Sequence, residues 1–241
     1  MSPPGGGGWS IDRRADTARA LHDPWPPPAQ RGRRTAGLCS VRGPRAVVLG
    51  STQSTDVVAV EQARRHSVDV VRRTSGGGAV YVAPDAQVWL DVWLPRDDPL
   101  WDDDVVRSSW WLGETWTRAL DGLGAPGLGV HRRGAARTEW SDVVCFAGVG
   151  PGEVTAGTRK VVGVAQRRTR EGARLHSMAP LTWDPEPLLT VLALDDDKAG
   201  QARLALDDVA TGLRGVAAQL GDLDAPRAVA SVEDALLDAL P

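Results

Sequence analysis

Apolar and polar residues alternate through much of the middle of the chain, and this spacing is typical of β-strands. The run 87–94 shows the alternation most plainly, with Val88, Leu90, Val92 and Leu94 at every second position. Glycine and proline interrupt such runs and mark their ends. The pattern predicts short strands at 36–41, 46–50, 68–73, 79–82, 87–94, 142–147, 153–155, 160–166 and 173–178.

Other segments have helical spacing instead. Apolar residues in 103–120 recur every three or four positions behind a group of aspartates, which predicts one long amphipathic helix. The other predicted helices are bounded by polar caps or glycines, and they cover 55–67 (cap Thr55), 186–193, 205–220 and 232–240 (cap Ser231). Strands in runs with flanking helices indicate an α+β fold with a mixed, largely antiparallel sheet.

The first part of the chain carries neither pattern clearly. Residues 1–8 are rich in glycine and proline, and the run PWPPPAQRGRR at 24–34 contains too many prolines for a helix or a central strand. We therefore expect 1–34 to be disordered or irregular. Residues 35–241 are expected to form a single domain that ends in a short helical region.

Composition excludes two classes of partner. The net charge is −3, so the chain lacks the clustered basic excess of a nucleic-acid-binding protein. No stretch approaches the ~20 apolar residues of a membrane-spanning helix, and the N-terminus lacks the apolar core of a secretory signal. Two cysteines, Cys39 and Cys145, are too few for a disulfide framework. The expected location is the cytoplasm, with neither nucleic acid nor membrane as a partner.

A triple glycine follows a predicted strand that ends in two arginines, in the sequence RRTSGGGAV at 72–80. Consecutive glycines let neighbouring backbone N–H groups turn towards one anion, with no side chain in the way. An arginine fork beside such a nest would grip a second pair of oxygens. The loop is therefore a candidate carboxylate or phosphate site, and a plain hairpin turn is the alternative. It matches neither a Walker loop nor a dinucleotide-binding GxGxxG.

A second motif, GTRKVVGVAQR at 157–167, places a lysine at the start of a predicted strand. Lys160 is one of only two lysines among 28 basic residues, which suggests that its ammonium is chemically required. Gly163 and Ala165 share one face of the strand and leave room for an elongated ligand. Lys160 would reach the carboxylate or phosphate of that ligand. An exposed lysine on an edge strand is the alternative.

These motifs, with Leu175-His176 and the segment AVVLGSTQ at 46–53, resemble the lipoate-protein ligase A/B family over roughly residues 45–180. The resemblance implies the biotin/lipoate ligase-like fold, which is related to class II synthetases. It implies that Lys160 and the glycine loop hold the activated carboxyl of lipoate or octanoate. The implied substrate-binding residues are Gln53, Arg72, Arg73, Ser75, Gly76, Gly77, Gly78, Gly163, Ala165 and His176.

The resemblance also implies an acceptor, namely a lysine of a lipoyl-domain protein such as a 2-oxoacid dehydrogenase E2 or the glycine cleavage H protein. The segment VCF at 144–146 resembles the octanoyltransferase branch, whose cysteine takes up the acyl group as a thioester. A thiolate is the effective nucleophile, and a nearby lysine favours it. Cys145 and Lys160 are the predicted catalytic residues, and no metal ligand is predicted. The alternative for Cys145 is a small core residue, which is the interpretation preferred for Cys39.

Two departures from the family pattern keep several functions open. Val82-Ala83 stand where members often have His-Asp, and the segment after Asp184 is short for the accessory domain of adenylating ligases. The main prediction is a ligase that makes an acyl-adenylate from ATP with Mg²⁺ and attaches the acyl group to the acceptor lysine. The first alternative is an ATP-independent transferase that passes octanoyl from a carrier protein through a Cys145 thioester. A non-catalytic lipoate-binding subunit is the second alternative, and a biotin ligase is a weaker one.

Overall fold

A computed structural model describes residues 8–241, in which ten strands form two sheets. The strands are β1 (Ser10–Asp16), β2 (Thr35–Val41), β3 (Arg45–Leu49), β4 (Val68–Arg72), β5 (Val80–Val82), β6 (Gln87–Pro95), β7 (Gly129–Val130), β8 (Val154–Ala156), β9 (Arg159–Arg168) and β10 (Gly172–Pro180). The α-helices of the same residues are α1 (Ala18–Leu21), α2 (Val60–Arg65), α3 (Trp110–Gly122), α4 (Glu186–Leu189), α5 (Asp196–Leu206) and α6 (Ala225–Ala239).

The larger sheet has the strand order β1-β2-β6-β10-β9-β8-β7, and the smaller has the order β4-β3-β5. Neighbours are antiparallel except for the pairs β1 with β2 and β3 with β4. Every residue of the central strand β6 is buried, because both faces of this strand are covered. The predicted mixed, largely antiparallel sheet with flanking helices is confirmed.

Strand β6 divides the core into two parts. Val88 and Leu90 pack in one cluster with Trp116 of α3, and α6 contributes to the same cluster. Trp89 points to the opposite face and packs with Val48 of β3 in the smaller sheet. Because side chains alternate across a strand, helices cover one face of the larger sheet and the smaller sheet covers the other. The candidate site lies between the two sheets.

The N-terminal prediction is wrong for residues 10–21. Strand β1 pairs in parallel with β2 along its whole length. The Thr17 side chain caps α1 by accepting a hydrogen bond from the N–H of Ala20. The strand was missed because its sequence, SIDRRAD, is highly charged and lies at a sheet edge, where charged residues are usual. Residues 22–34 are mainly turns, with one 3-10 turn at Pro28–Gln30. The predicted disorder of residues 1–7 lies outside the described residues.

Three helix predictions are also corrected. The helix predicted from residue 103 begins at Trp110, because aspartates such as Asp104 instead accept hydrogen bonds from nearby N–H groups and fold the chain into turns. The segment 205–220 is not a helix, since α5 ends at Leu206 and glycines interrupt the chain between 207 and 220. The last helix begins earlier than predicted, with Asp224 rather than Ser231 as its cap.

Helix α2 is likewise shorter than the predicted 55–67. A 3-10 turn at Thr55–Val57 precedes it, and the cap of that turn is Ser54 rather than Thr55. Within residues 8–241, no helix has the length and hydropathy needed to cross a membrane.

The strand predicted at 142–147 is absent from the structure. Its place is taken by turns that end in a 3-10 turn at Cys145–Ala147. The segment forms an isolated β-bridge with Ala79: the Ala79 N–H donates to the carbonyl of Val143, and the Cys145 N–H donates to the carbonyl of Ala79. The turn, rather than a strand, brings Cys145 against the end of the triple-glycine loop.

Candidate active site

The triple-glycine loop leaves β4 and packs against the segment that carries Cys145. Gly77 has φ 99°, a left-handed conformation that suits glycine. A Cβ placed on Gly78 would lie 2.7 Å from the carbonyl carbon of Val144, so only glycine permits this approach. The N–H groups of residues 76–78 have no hydrogen-bond acceptor among the described residues. The loop therefore has the features of the predicted anion nest.

The two arginines of the motif hold backbone carbonyls, Arg73 within the triple-glycine loop and Arg72 in the segment 50–53. Arg73 is 5% exposed, and its guanidinium donates to the carbonyls of Val48, Gly76 and Gly78 at 3.2, 2.7 and 2.9 Å. Arg72 donates to the carbonyls of Gly50 and Gln53 at 2.8 and 2.5 Å. These guanidinium groups are occupied by backbone oxygens, so a direct contact from either arginine to a substrate stays a prediction.

Gln53 and Ser75 also lie at this loop. The Gln53 amide donates to the carbonyls of Asp142 and Val143, both at 3.0 Å, and so ties the loop before α2 to the segment before Cys145. The Ser75 hydroxyl is buried without a hydrogen-bond partner among residues 8–241. Gln53 also borders a cleft on the side of the loop that faces Lys160, and its role in substrate binding stays a prediction.

Lys160 is buried at the start of β9, and all three of its ammonium hydrogens have acceptors. Its Nζ lies 2.7 Å from Glu153 Oε2, 2.9 Å from the carbonyl of Cys145 and 3.1 Å from that of Gly148. The ring centre of Phe146 is 4.9 Å away. The side chain is 1% exposed. Lys160 thus fixes the backbone of the cysteine turn, and the predicted contact with a ligand carboxylate would require it to exchange a partner.

An outer cavity of about 560 Å³ brings the two motifs together, although they lie far apart in the sequence. Its wall includes Gln53, the triple-glycine loop, Cys145, Lys160 and Ala165. The spatial condition of the sequence hypothesis is therefore met: the glycine turn and the lysine border the same cleft.

A smaller inner cavity of about 60 Å³ lies next to it, between the two sheets. The two cavities share Cys145, Val164 and Ala165. The inner wall is mainly apolar, with Val80, Val82, Trp89, Phe146 and Met178 as its larger members. Cys145 is partly exposed and lies where the larger cleft, which has a mixed polar and apolar wall, meets the apolar one.

Gly163 belongs to the inner wall only. A Cβ there would lie 3.4 Å from Lys160 Cε and from the Phe146 ring. Added bulk at this position would press on the lysine that fixes the cysteine turn. The role of Gly163 and Ala165 as walls of an acyl tunnel remains a prediction.

His176 contributes a second group of buried polar side chains to the inner cavity. Its Nδ1 is 2.6 Å from Asp91 Oδ1 on the neighbouring strand β6. Asp91 is fully buried, and Arg174 donates to its other oxygen. Burial alone would raise the pKa of Asp91, but the interactions with His176 and Arg174 outweigh burial and hold that pKa well below its usual range.

Both histidines of the inner cavity are neutral. Burial lowers the pKa of His176, and the positive charges of Arg174 and Arg73 act in the same direction against the attraction of Asp91. Burial also lowers the pKa of His22 to about 2, with a further contribution from His176. Neither imidazole is positively charged near neutral pH.

Lowering the pH from 7 to 5 is expected to destabilise the fold. A histidine with a depressed pKa stabilises the folded state above its unfolded pKa near 6.5, and this stability is lost as the pH falls below that value. His22, at a folded pKa of about 2, contributes about 2 kcal/mol of the loss. Urea unfolding at pH 7, 6 and 5 measures it. His22→Phe flattens the pH dependence, whereas the exposed control His66→Asn leaves it unchanged. A native stability that is equal at pH 7 and 5 contradicts this account.

Four site residues were missed by the sequence analysis: His22, Asp91, Phe146 and Glu153. Glu153 pairs with Lys160. Its carboxylate also accepts hydrogen bonds from the N–H of Gly150 at 2.6 Å and from the N–H of Val164 at 3.0 Å. Asp91 carried a usable signal, because it is the one charged residue inside the apolar run 87–94. A charge within a buried strand requires a partner. His22 had no such signal, since its segment was predicted to be irregular.

Comparison with known proteins identifies the family. The model of the lipoyl protein ligase A/B catalytic domain matches residues 29–240. The octanoyltransferase LipM of Moorella thermoacetica is 30% identical over 163 residues, which is 67% of this chain and 59% of that protein. LipM of Kyrpidia tusciae is 31% identical over 175 residues, 70% of this chain and 60% of that protein. The chain thus spans less than two thirds of the length of these curated relatives.

Solved structures confirm the predicted fold. A bi-partite lipoate protein ligase from Thermoplasma acidophilum superposes with a TM-score of 0.67 at 17% identity, over 95% of this chain and 82% of that one. A lipoate-protein ligase A bound with ATP also gives 0.67, at 18% identity, over 97% and 83% of the two chains. At such identities the likeness concerns the fold alone, whereas the family model covers most of the sequence: the chain belongs to the lipoyl protein ligase A/B catalytic domain family.

Proposed function

We propose that the chain is an ATP-independent acyltransferase that moves an octanoyl group from a carrier protein to a lysine of a lipoyl domain through a thioester on Cys145. The observation that carries the proposal is the position of Cys145 where the apolar inner cavity meets the open outer cavity, beside the triple-glycine loop. This reaction is the first alternative that the sequence left open.

The two cavities suit the two parts of an acyl thioester. Burial of a hydrocarbon chain gains about 0.8 kcal/mol per methylene, and the inner cavity offers apolar walls for it. The outer cavity is larger and has more polar groups on its wall, so it can admit the pantetheine arm of a donor and later the lysine of an acceptor. Cys145 lies between them, at the position that the acyl carbonyl would occupy.

The transfer is balanced without ATP. The Cys145 sulfur forms a bond to the acyl carbon, the bond from that carbon to the donor sulfur breaks, and the donor leaves as a thiol with the proton of Cys145. The acceptor ε-amine then attacks the new thioester, an amide forms, and Cys145 regains its proton from the amine. The N–H groups of residues 76–78 are available to stabilise the negative carbonyl oxygen in both steps.

The charges of the outer cavity favour this route over an acyl-adenylate. Of the cations on its wall, Arg137 pairs with Asp142 and Lys160 pairs with Glu153. A triphosphate with Mg²⁺ would meet no unpaired cation on the part of that wall formed by residues 8–241. The relatives described as octanoyltransferases support the same choice. The ligase route, which was the main sequence prediction, is thus less well supported than the transferase.

A product-mass experiment separates the routes. The purified chain is incubated with a lipoyl domain and either octanoyl carrier protein without ATP, or octanoate with ATP and Mg²⁺. We expect the octanoylated lipoyl domain in the first mixture only. Product in the second mixture alone restores the ligase, and an absence of product from both favours the non-catalytic binding subunit.

A further inference from the structure

Arg73 carries a buried positive charge that no carboxylate balances. Its side chain is 5% exposed, and it forms no ion pair with an acidic side chain of residues 8–241. Its hydrogen bonds go instead to the carbonyls of Val48, Gly76 and Gly78. Burial of a charged group costs free energy unless the charge is paired, so the place of this guanidinium requires an explanation.

The hydrogen bonds of Arg73 fix the direction of one peptide group in the triple-glycine loop. Its Nη2 atom lies 2.7 Å from the carbonyl oxygen of Gly76. In a planar trans peptide the carbonyl and the following N–H point in opposite directions, so the Gly77 N–H is directed away from the guanidinium. This N–H has no acceptor among the described residues. Because Arg73 borders the inner cavity and Gly77 the outer one, we infer that the N–H is held towards the outer cavity.

Gly77 also lies between the guanidinium and the sulfur of Cys145. A Cβ placed on Gly77 would be 2.9 Å from Arg73 Nη2 and 4.0 Å from Cys145 Sγ. An acyl group on this sulfur would therefore have its carbonyl oxygen beside the Gly77 peptide. Any side chain at this position would have to displace the guanidinium from the loop, which the glycine avoids.

The charge of Arg73 strengthens the Gly77 donor as well as orienting it. A cation that donates to the Gly76 carbonyl polarises the whole peptide group, and hydrogen bonds in such a chain reinforce one another. Lys160 is less suited to this role, because Glu153 pairs with its ammonium at 2.7 Å. The one buried cation at the loop without a carboxylate partner, among residues 8–241, is thus bound to the peptide that carries the free N–H.

We propose that Arg73 sets the oxyanion site of the transferase, by orienting and polarising the Gly76–Gly77 peptide so that the Gly77 N–H donates to the acyl carbonyl oxygen. This inference rests on the proposed function, because it takes the acyl group to be bound to the Cys145 sulfur. In both transfer steps an electron pair of the carbonyl moves onto its oxygen and returns when the leaving group departs. Arg73 contacts neither substrate nor sulfur here and is a positioning residue that acts through Gly77.

Two reactions of the same sulfur test this role. Octanoyl transfer passes through a negative carbonyl oxygen, whereas alkylation of Cys145 by iodoacetamide is a direct displacement that forms none. In Arg73→Met we expect kcat for transfer to fall about a hundredfold, the usual effect of losing one oxyanion donor, with KM for the donor nearly unchanged. Alkylation of Cys145, followed by peptide mapping, is expected to keep its native rate. Arg65→Met, at an exposed position of α2, is the control that retains both rates.

Native kcat in a folded Arg73→Met variant overturns the proposal. So does an equal fall of transfer and alkylation, which would place the effect of Arg73 on the sulfur or on the fold. If Arg73→Met does not fold, Arg73→Lys is measured, because its ammonium keeps a buried donor on a side chain that is one atom shorter. Transfer about tenfold lower, with native alkylation, is then expected for the weakened hydrogen bond. Native transfer by this variant contradicts the role of the guanidinium.

The two hypotheses fail separately. Octanoyl transfer that depends on Cys145 but not on Arg73 leaves the proposed function intact and removes this inference. If the native chain transfers no octanoyl group, the proposed function fails, and octanal tests the inference alone. The Cys145 sulfur adds to the aldehyde carbon, the thiol proton passes to the oxygen, and the Gly77 N–H would bind that oxygen. Octanal is expected to bind more weakly to Arg73→Met, with 1-octanol unchanged, and equal octanal affinity overturns the inference.

Discussion

Replacement of Cys145 by serine is expected to lower octanoyl transfer on the order of a thousandfold or more, because the acyl group loses its thioester attachment. Serine keeps the shape of the side chain and the hydrogen bond from its backbone N–H to Ala79. A hydroxyl at this position is a much weaker nucleophile. The rate of lipoyl-domain octanoylation measures the effect, and intact-mass analysis of the native chain with donor alone is expected to show one added octanoyl group.

The matched control is Cys39→Ala. Cys39 is 2% exposed on β2, packs in the core cluster with Trp89 and borders neither cavity. This variant is expected to retain transfer and to form the acyl adduct, which peptide mapping then assigns to Cys145. Undiminished transfer by Cys145→Ser would remove the thioester route, and an adduct that persists in that variant would place the nucleophile elsewhere.

Replacement of Lys160 by methionine is expected to lower the free energy of unfolding by about 3–5 kcal/mol, the usual cost of leaving one member of a buried ion pair alone. Glu153 is 5% exposed and 2.7 Å from Nζ, so without the ammonium its carboxylate loses the one cation that pairs with it and keeps only its two backbone donors. The carbonyls of Cys145 and Gly148 lose their donor as well. Urea unfolding at pH 7 measures the change, and transfer is expected to fall because the cysteine turn is no longer held.

The double variant Lys160→Met with Glu153→Gln distinguishes the unpaired charge from the missing donor. It is expected to recover most of the stability, since no charge remains buried, but not the transfer. Lys198→Met is the control, because Lys198 is exposed and its pair with Asp195 spans 3.8 Å, so a change below about 0.5 kcal/mol is expected. A single variant as stable as the native chain would contradict the buried pair, and a fully active double variant would contradict the positioning role.

The local patterns predicted the strands of the two sheets more reliably than the helices. The alternation of apolar residues in 87–94 predicts a strand, and the observed strand β6 has the same start and ends one residue later. The start of a helix depends on which polar side chain accepts a hydrogen bond from a free N–H group, and both Asp102 and Asp104 do so before residue 110. The strand β1 forms despite its charges because β2 supplies the hydrogen bonds, which no pattern within 10–16 reveals.

The sequence by itself identified the candidate chemical groups of this protein. A run of three glycines with no Cβ, a scarce lysine and a cysteine within a family-like segment defined the candidate residues, because these properties belong to the residues themselves. Spacing on one strand also put Gly163 and Ala165 on one face.

Only the tertiary structure decided what each group faces. It paired the ammonium of Lys160 with Glu153 and two carbonyls, turned Arg73 onto the glycine loop, and placed His176 against the buried Asp91. The physical reason is that hydrogen bonds and ion pairs form between atoms close in space, whereas Asp91 and His176 are 85 positions apart in the chain. Their meeting depends on the register of β6 and β10.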